Sequence, residues 1–177
     1  MRFAPKMLIA ISLLPCMVHG QQPATSSAPA GPNLPESFHV TISKQEKQHI
    51  LDGLCNVTLS TASLPKSLKD DFARATKEQK FELANPGDKY QETDVLITPH
   101  LPRRRLVLAG SCRDRWFVHY EIGGFSHSYA VLVFRVDSNG AFRFAWGGAG
   151  HQAAKSMGDL RLSIASGKFS DDLPYYW

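Results

Sequence analysis

Short runs rich in β-branched and aromatic residues alternate with turn-forming clusters through the second half of the chain, and this rhythm limits the fold more than any other feature. The runs are Arg104 to Ala109, Arg115 to Ile122, His127 to Val136 and Ala141 to Trp146. Gly123-Gly124-Phe125-Ser126 and Asp137-Ser138-Asn139-Gly140 separate the later ones. Strand-length runs punctuated in this way pair with their chain neighbours through hairpins. The expected product is an antiparallel meander of four or more strands.

A register follows if Gly123 to Ser126 forms the whole loop and Asn139-Gly140 a two-residue turn. Ile122 then faces His127, Tyr120 faces Tyr129, and Val133 faces Trp146. Side chains alternate across a strand, so Trp116, Val118, Tyr120, Ile122, His127, Tyr129, Val131, Val133, Phe144 and Trp146 collect on one apolar face. Phe117, His119, Glu121, Ser128, Ala130, Leu132 and Phe134 collect on a mixed face able to line a cleft. A slip of one residue exchanges such sets.

The first half reads as helical. Phe38, Val40 and Ile42 suit a short strand, and Ser43 to Glu46 has the capping-box pattern. Ile50, Leu51 and Leu54 continue on one face, predicting a helix over residues 44–54. Pro65 suits a first turn, and Leu64, Leu68 and Phe72 predict a second helix over 65–77. A short strand is expected at 80–84, a turn at Asn85 to Asp88, and a further strand near 94–98. Gly147 to Gly150 reads as a loop. A last helix, preferred over a strand, starts near Ser156 and Asp159 and stops at Gly167. The aromatic end, Tyr175-Tyr176-Trp177, is expected to fold onto the domain. The fold class is therefore α+β, an antiparallel β-meander of four or more strands packed on one face by two or three helices.

Upstream of the helices, Arg2 and Lys6 precede an apolar stretch from Met7 to Val18, and Gly20 closes it. That is the layout of a signal peptide over residues 1–20. The stretch is short for a bilayer span. Cys16 raises the alternative of lipid attachment, which Pro15 before it disfavours. Residues 21–36, rich in Pro, Ala and Ser, have no apolar face and read as a flexible linker. Residues 37–177 are left as one globular α+β domain, of ordinary single-domain size. No transmembrane segment is expected in the mature chain.

The whole sequence carries 20 basic and 16 acidic residues. Without Arg2 and Lys6 the balance is 18 against 16, which offers no basic surface for nucleic acid. The run Arg103-Arg104-Arg105 reads as a solvated strand start or edge. Cys55 and Cys112 remain after cleavage, and an even count in an exported chain predicts a disulfide. Asn56-Val57-Thr58 is a glycosylation sequon, meaningful only in a glycosylating host.

The candidate chemistry concentrates at His119, Glu121 and His127, with His151 further along. His119 and Glu121 are two apart on a strand and share a face, where imidazole and carboxylate suit acid–base work. The register puts His127 on the other face. Zinc takes three or four ligands, and no H-E-x-x-H helix is present, so neither metal nor other cofactor is expected. There is no G-x-S-x-G elbow. The pairs Asp70-Asp71 and Asp171-Asp172 lack a glycosidase's flanking geometry. Phe125, Ser128 and Tyr129, around the Gly-rich hairpin, form the candidate binding surface.

These features favour an exported, periplasmic or secreted, non-enzymatic binding or inhibitor-type module. Its expected partner is an envelope or extracellular protein, peptide or polymer. The alternative is a small exported hydrolase using the His/Glu cluster of residues 119–129.

Overall fold

The protein is described from a computed structural model that covers residue 42 and residues 44–94, 100–124 and 127–170. The signal-like segment, the linker, the strand expected at 38–42 but for Ile42, Ser43, most of the strand expected near 94–98, and the aromatic end lie outside those residues.

Five strands form one antiparallel sheet in chain order: β1 (Cys55–Thr58), β2 (Arg104–Cys112), β3 (Arg115–Ile122), β4 (Ser128–Val136) and β5 (Phe142–Gly150). The last four are the runs read from the sequence. β1 was not expected; it is a four-residue edge strand that pairs Cys55 directly with Cys112. These two cysteines form the predicted disulfide, with Cα atoms 4.2 Å apart. The bond staples β1 to β2.

Three helices surround the sheet: α1 (Lys44–Asp52), α2 (Lys66–Ala75) and α3 (Met157–Ala165). α3 forms as the sequence predicts. The Ser156 hydroxyl accepts from the Asp159 amide at 3.1 Å, and Gly167 follows the helix at φ +69°, a conformation that glycine adopts without a Cβ penalty. In the first turn of α1, Glu46 meets Arg115 of β3 at 2.5 and 2.9 Å and also pairs with Arg135 of β4. Burial pushes the Glu46 carboxyl up, yet the hydrogen bonds and charges of the two arginines outweigh this and hold it below the usual range.

The helices do not share one face. Leu68 and Phe72 of α2, with Leu64 before it, pack on Val118, Tyr120, Leu132 and Phe134. Ile50 of α1 and Leu160 and Ile164 of α3 pack on Phe117, Val131, Val133 and Trp146 across the sheet. The expected apolar face is thus divided: Trp116 and Val118 belong to one layer, Val131, Val133 and Trp146 to the other. The cause is the hairpin between β3 and β4. Ile122 pairs with Ser128 and Glu121 with Tyr129, so the loop spans Gly123 to His127, one residue more than expected. That residue turns all of β4 over relative to β3. Both faces are apolar, and both are covered.

β5 runs on through Gly147 to Gly150, where a loop was expected. Strand interiors usually exclude glycine, but here close packing requires it. A Cβ on Gly148 would lie 2.7 Å from the Phe169 Cβ and from the Trp146 ring. At the other hairpin, Gly140 sits at φ +78° and its amide donates to Asp137 O at 2.9 Å. The loop is thus longer than a two-residue turn, and an irregularity between Val133 and Phe134 restores the expected Val133–Trp146 pair.

Two more expectations change. The strand at 80–84 is reduced to a single bridge, Ala84 with Arg105. The arginine run is not a solvated edge: Arg103 is exposed, but Arg104 is buried against Glu78 and 5.9 Å over the Tyr120 ring. On the outer side of the sheet, Leu54, Val57 and Leu59 along β1 are exposed.

Candidate functional site

The end of the sheet where β3 meets its hairpin gathers most of the polar groups singled out in the sequence. Glu121 points from β3 toward the α1/α3 side, opposite Tyr129 of β4. One of its oxygens receives a hydrogen bond from Arg105 of β2. The other lies 2.9 Å from His127 Nε2. The Tyr90 hydroxyl is 3.4 Å from the same nitrogen. The Arg105 guanidinium carbon lies 4.3 Å from the centre of the Tyr90 ring, and the His127 ring stacks on Tyr129 at 5.2 Å and 23°. Burial, followed by the charge of Glu121, pushes the Tyr90 hydroxyl up to about 12. Glu121 raises Arg105 above its ordinary value through their hydrogen bond.

Backbone hydrogen bonds tie the segment bearing Tyr90 to this end of the sheet. The Gln91 amide donates to Pro102 O at 2.8 Å and the Gly124 amide to Glu92 O at 3.0 Å. A Cβ on Gly123 would lie 1.9 Å from Gln91 O, so the segment bearing Tyr90 is pressed against the hairpin through a glycine.

His119 shares the face of Glu121, as predicted, and both of its ring nitrogens lie against backbone groups. It is fully buried. Nδ1 is 2.8 Å from Ala130 O, to which only an N–H can donate. Nε2 accepts from the Ala154 amide at 2.9 Å. Each nitrogen is committed, and one neutral tautomer satisfies both bonds. Burial lowers this imidazole to about 4. Phe169 meets its ring edge-on at 5.6 Å.

His127, expected on the face away from His119, instead swings from the hairpin to Glu121, because it belongs to the loop and not to β4. His151 does not join the cluster. It is exposed on a separate depression with Gln152, Ser163, Lys168 and Phe169. Ser128 pairs with Ile122 on the opposite side of the sheet from Glu121. Phe125 lies outside the described residues. Among the described residues, no group of three or more His, Cys, Asp or Glu side chains could hold a metal, and no helix is long and apolar enough to cross a membrane.

The sequence reading missed Tyr90 and Arg105. Charge complementarity between the arginine run and Glu121 was the available signal. An irregularity between Leu106 and Leu108 hid it: counting straight back from the Cys112–Arg115 pair places Arg105 opposite Ile122, and the extra residue moves it to Glu121.

Compared with family models, curated proteins and solved structures, the chain matches none.

Proposed function

We propose that the protein is an exported binding module that contacts its partner through Arg105, His127 and Tyr129, which the buried Tyr90 and Glu121 hold in place. The observation that supports this reading is the half-exposed His127 ring, bonded to Glu121 and stacked on Tyr129 beside Arg105 at one end of the sheet. Both Glu121 oxygens are engaged, and His119 has no free nitrogen. Among the described residues, the side chains bonded to Glu121 or His127 are each other, Arg105 and Tyr90, none of them a serine, threonine or cysteine nucleophile. The site offers a surface in which His127 stacks on Tyr129 and Arg105 lies over the buried Tyr90 ring, with the His127 side chain 50% exposed. Rigid aromatic and arginine groups of this kind lose little entropy when a partner covers them. The Cys55–Cys112 disulfide supports an oxidising, periplasmic or secreted location, and an envelope or extracellular protein, peptide or polymer is the partner class that fits.

A photo-crosslinking side chain placed at Tyr129, with a control at Ser67 on α2, tests this in the native host. A saturable adduct at position 129, competed away by excess unmodified chain and absent at 67, is expected. Equal labelling at both positions, or none at 129, would sink the proposal. Turnover of ester, peptide or glycan substrates that is abolished by His127→Ala would replace it with the hydrolase reading.

A further inference from the structure

Among the described residues β1 is the outermost strand on one side of the sheet, and its free edge is apolar. We propose that this edge pairs antiparallel with the β1 edge of a second copy about a twofold axis, joining the two sheets.

The composition of the strand favours a copy of itself as the occupant. In a chain that is 20% charged, residues 53–65 carry no charge. A twofold axis sets each strand residue beside the same or a nearby residue of the other copy, so any charge there would meet its like. Edges that must stay apart are guarded by lysine or proline, and residues 54–59 contain neither. Val57 is 46% exposed, and Leu54 and Leu59, beside the two ends of the strand, are 94% and 58% exposed. Val57 lies opposite Gly110, so no side chain at that position of β2 covers it.

The backbone limits how two such edges can meet. Antiparallel partners alternate between hydrogen-bonded pairs, about 5.5 Å apart at Cα, and non-hydrogen-bonded pairs, about 4.5 Å apart. Cys55 and Cys112, at 4.2 Å, are a pair of the second kind. Asn56 and Thr58 therefore bond to β2, and the N–H and C=O of Cys55 and Val57 point away from it. Two copies can pair only in registers that oppose outward residues to outward residues. With Val57 on the axis, it meets Val57 of the second copy, and Cys55 meets the Leu59 that follows that copy's strand. Cys55 packs against the core layer of α1 and α3. Side chains alternate across a strand, so Val57 and Leu59 of both copies extend that same layer across the axis. The edge is also pre-formed. The disulfide holds β1 to β2, and Arg161 of α3 donates to Gly53 O at the start of the strand. Little ordering is left to oppose pairing.

Sedimentation equilibrium of the full chain, disulfide intact, tests this from about 1 μM to 1 mM, the range in which so small an interface dissociates. A reversible monomer–dimer equilibrium is expected. Val57→Lys and Leu59→Lys each set a cation beside its copy and should weaken the dimer about tenfold or more, with the monomer's melting temperature kept. Leu162→Lys, at an exposed leucine of α3, should leave it unchanged. Hydrogen exchange of the wild type gives a second readout. The Cys55 and Val57 amides should slow as concentration rises, while those of Asn56 and Thr58, already bonded to β2, should not change. A monomer throughout, assembly beyond the dimer, a dimer that survives both lysine variants, or protection on other strands alone would overturn the proposal. The β1 edge is separate from the Tyr129 surface, so either reading can fail without the other.

Discussion

The imidazole of His119 sits between Ala130 O and the Ala154 amide, within the layer built by α1 and α3. Its neutral form is the one the fold stores. Burial lowers it from 6.5 to about 4, so between those values the unfolded chain takes up a proton and the folded chain refuses it. Stability from this group is therefore complete above pH 6.5 and falls as pH drops toward 4. The full difference is worth about 3 kcal/mol. Urea unfolding of the wild type should show this decline between pH 6.5 and 4.5, and His119→Gln should show a clearly flatter profile. The same slope in both would mean that another group titrates. At neutral pH, His119→Ala should cost about 3 kcal/mol or more, because it leaves a cavity and two unpaired backbone groups.

At the scale of elements, glycines separate two physical effects. Gly148→Ala places a methyl against Phe169 and Trp146 inside β5, and overpacking of that kind should cost about 2 kcal/mol or more. Gly140→Ala meets nothing within 4 Å and pays only for its left-handed φ, about 1 kcal/mol. Chemical denaturation of both variants should return that order, and a reversed order would contradict the packing of the α3 layer on β5. Most element positions were legible: β3 matches its sequence run residue for residue, and α3 has the Ser156 cap and Gly167 stop read from the sequence. What could not be read was pairing. Alternating apolar residues mark a strand without fixing which neighbour lies opposite. One added loop residue at His127 and one irregularity near Val107 decided which side chains meet. The candidate site suffered for the same reason: Glu121, His127 and Tyr129 were visible as a cluster, whereas Arg105 and Tyr90 arrive through a strand irregularity and a connecting segment. Gly147 to Gly150 misled because glycine signals a loop wherever the packing that demands it is unknown.

For the whole molecule, the covalent link carries much of the stability. Cys55 and Cys112 are 57 residues apart in sequence, and closing such a loop in the unfolded chain is worth about 4 kcal/mol in the chain-entropy model. Cys55→Ala with Cys112→Ala should lower the unfolding free energy by that order, measured by thermal or urea melts without reductant. An unchanged melting curve would show that the sheet holds β1 without it. β1 is an edge strand with Val57 exposed on it and Leu54 and Leu59 exposed beside its two ends, with no lysine or proline between them, residues by which proteins blunt an open edge. Made in a reducing cytosol, the chain would present this bare apolar edge on a strand free to peel away, and neighbouring molecules would zip onto it. Production therefore belongs in an oxidising compartment, where inclusion bodies should give way to monodisperse protein.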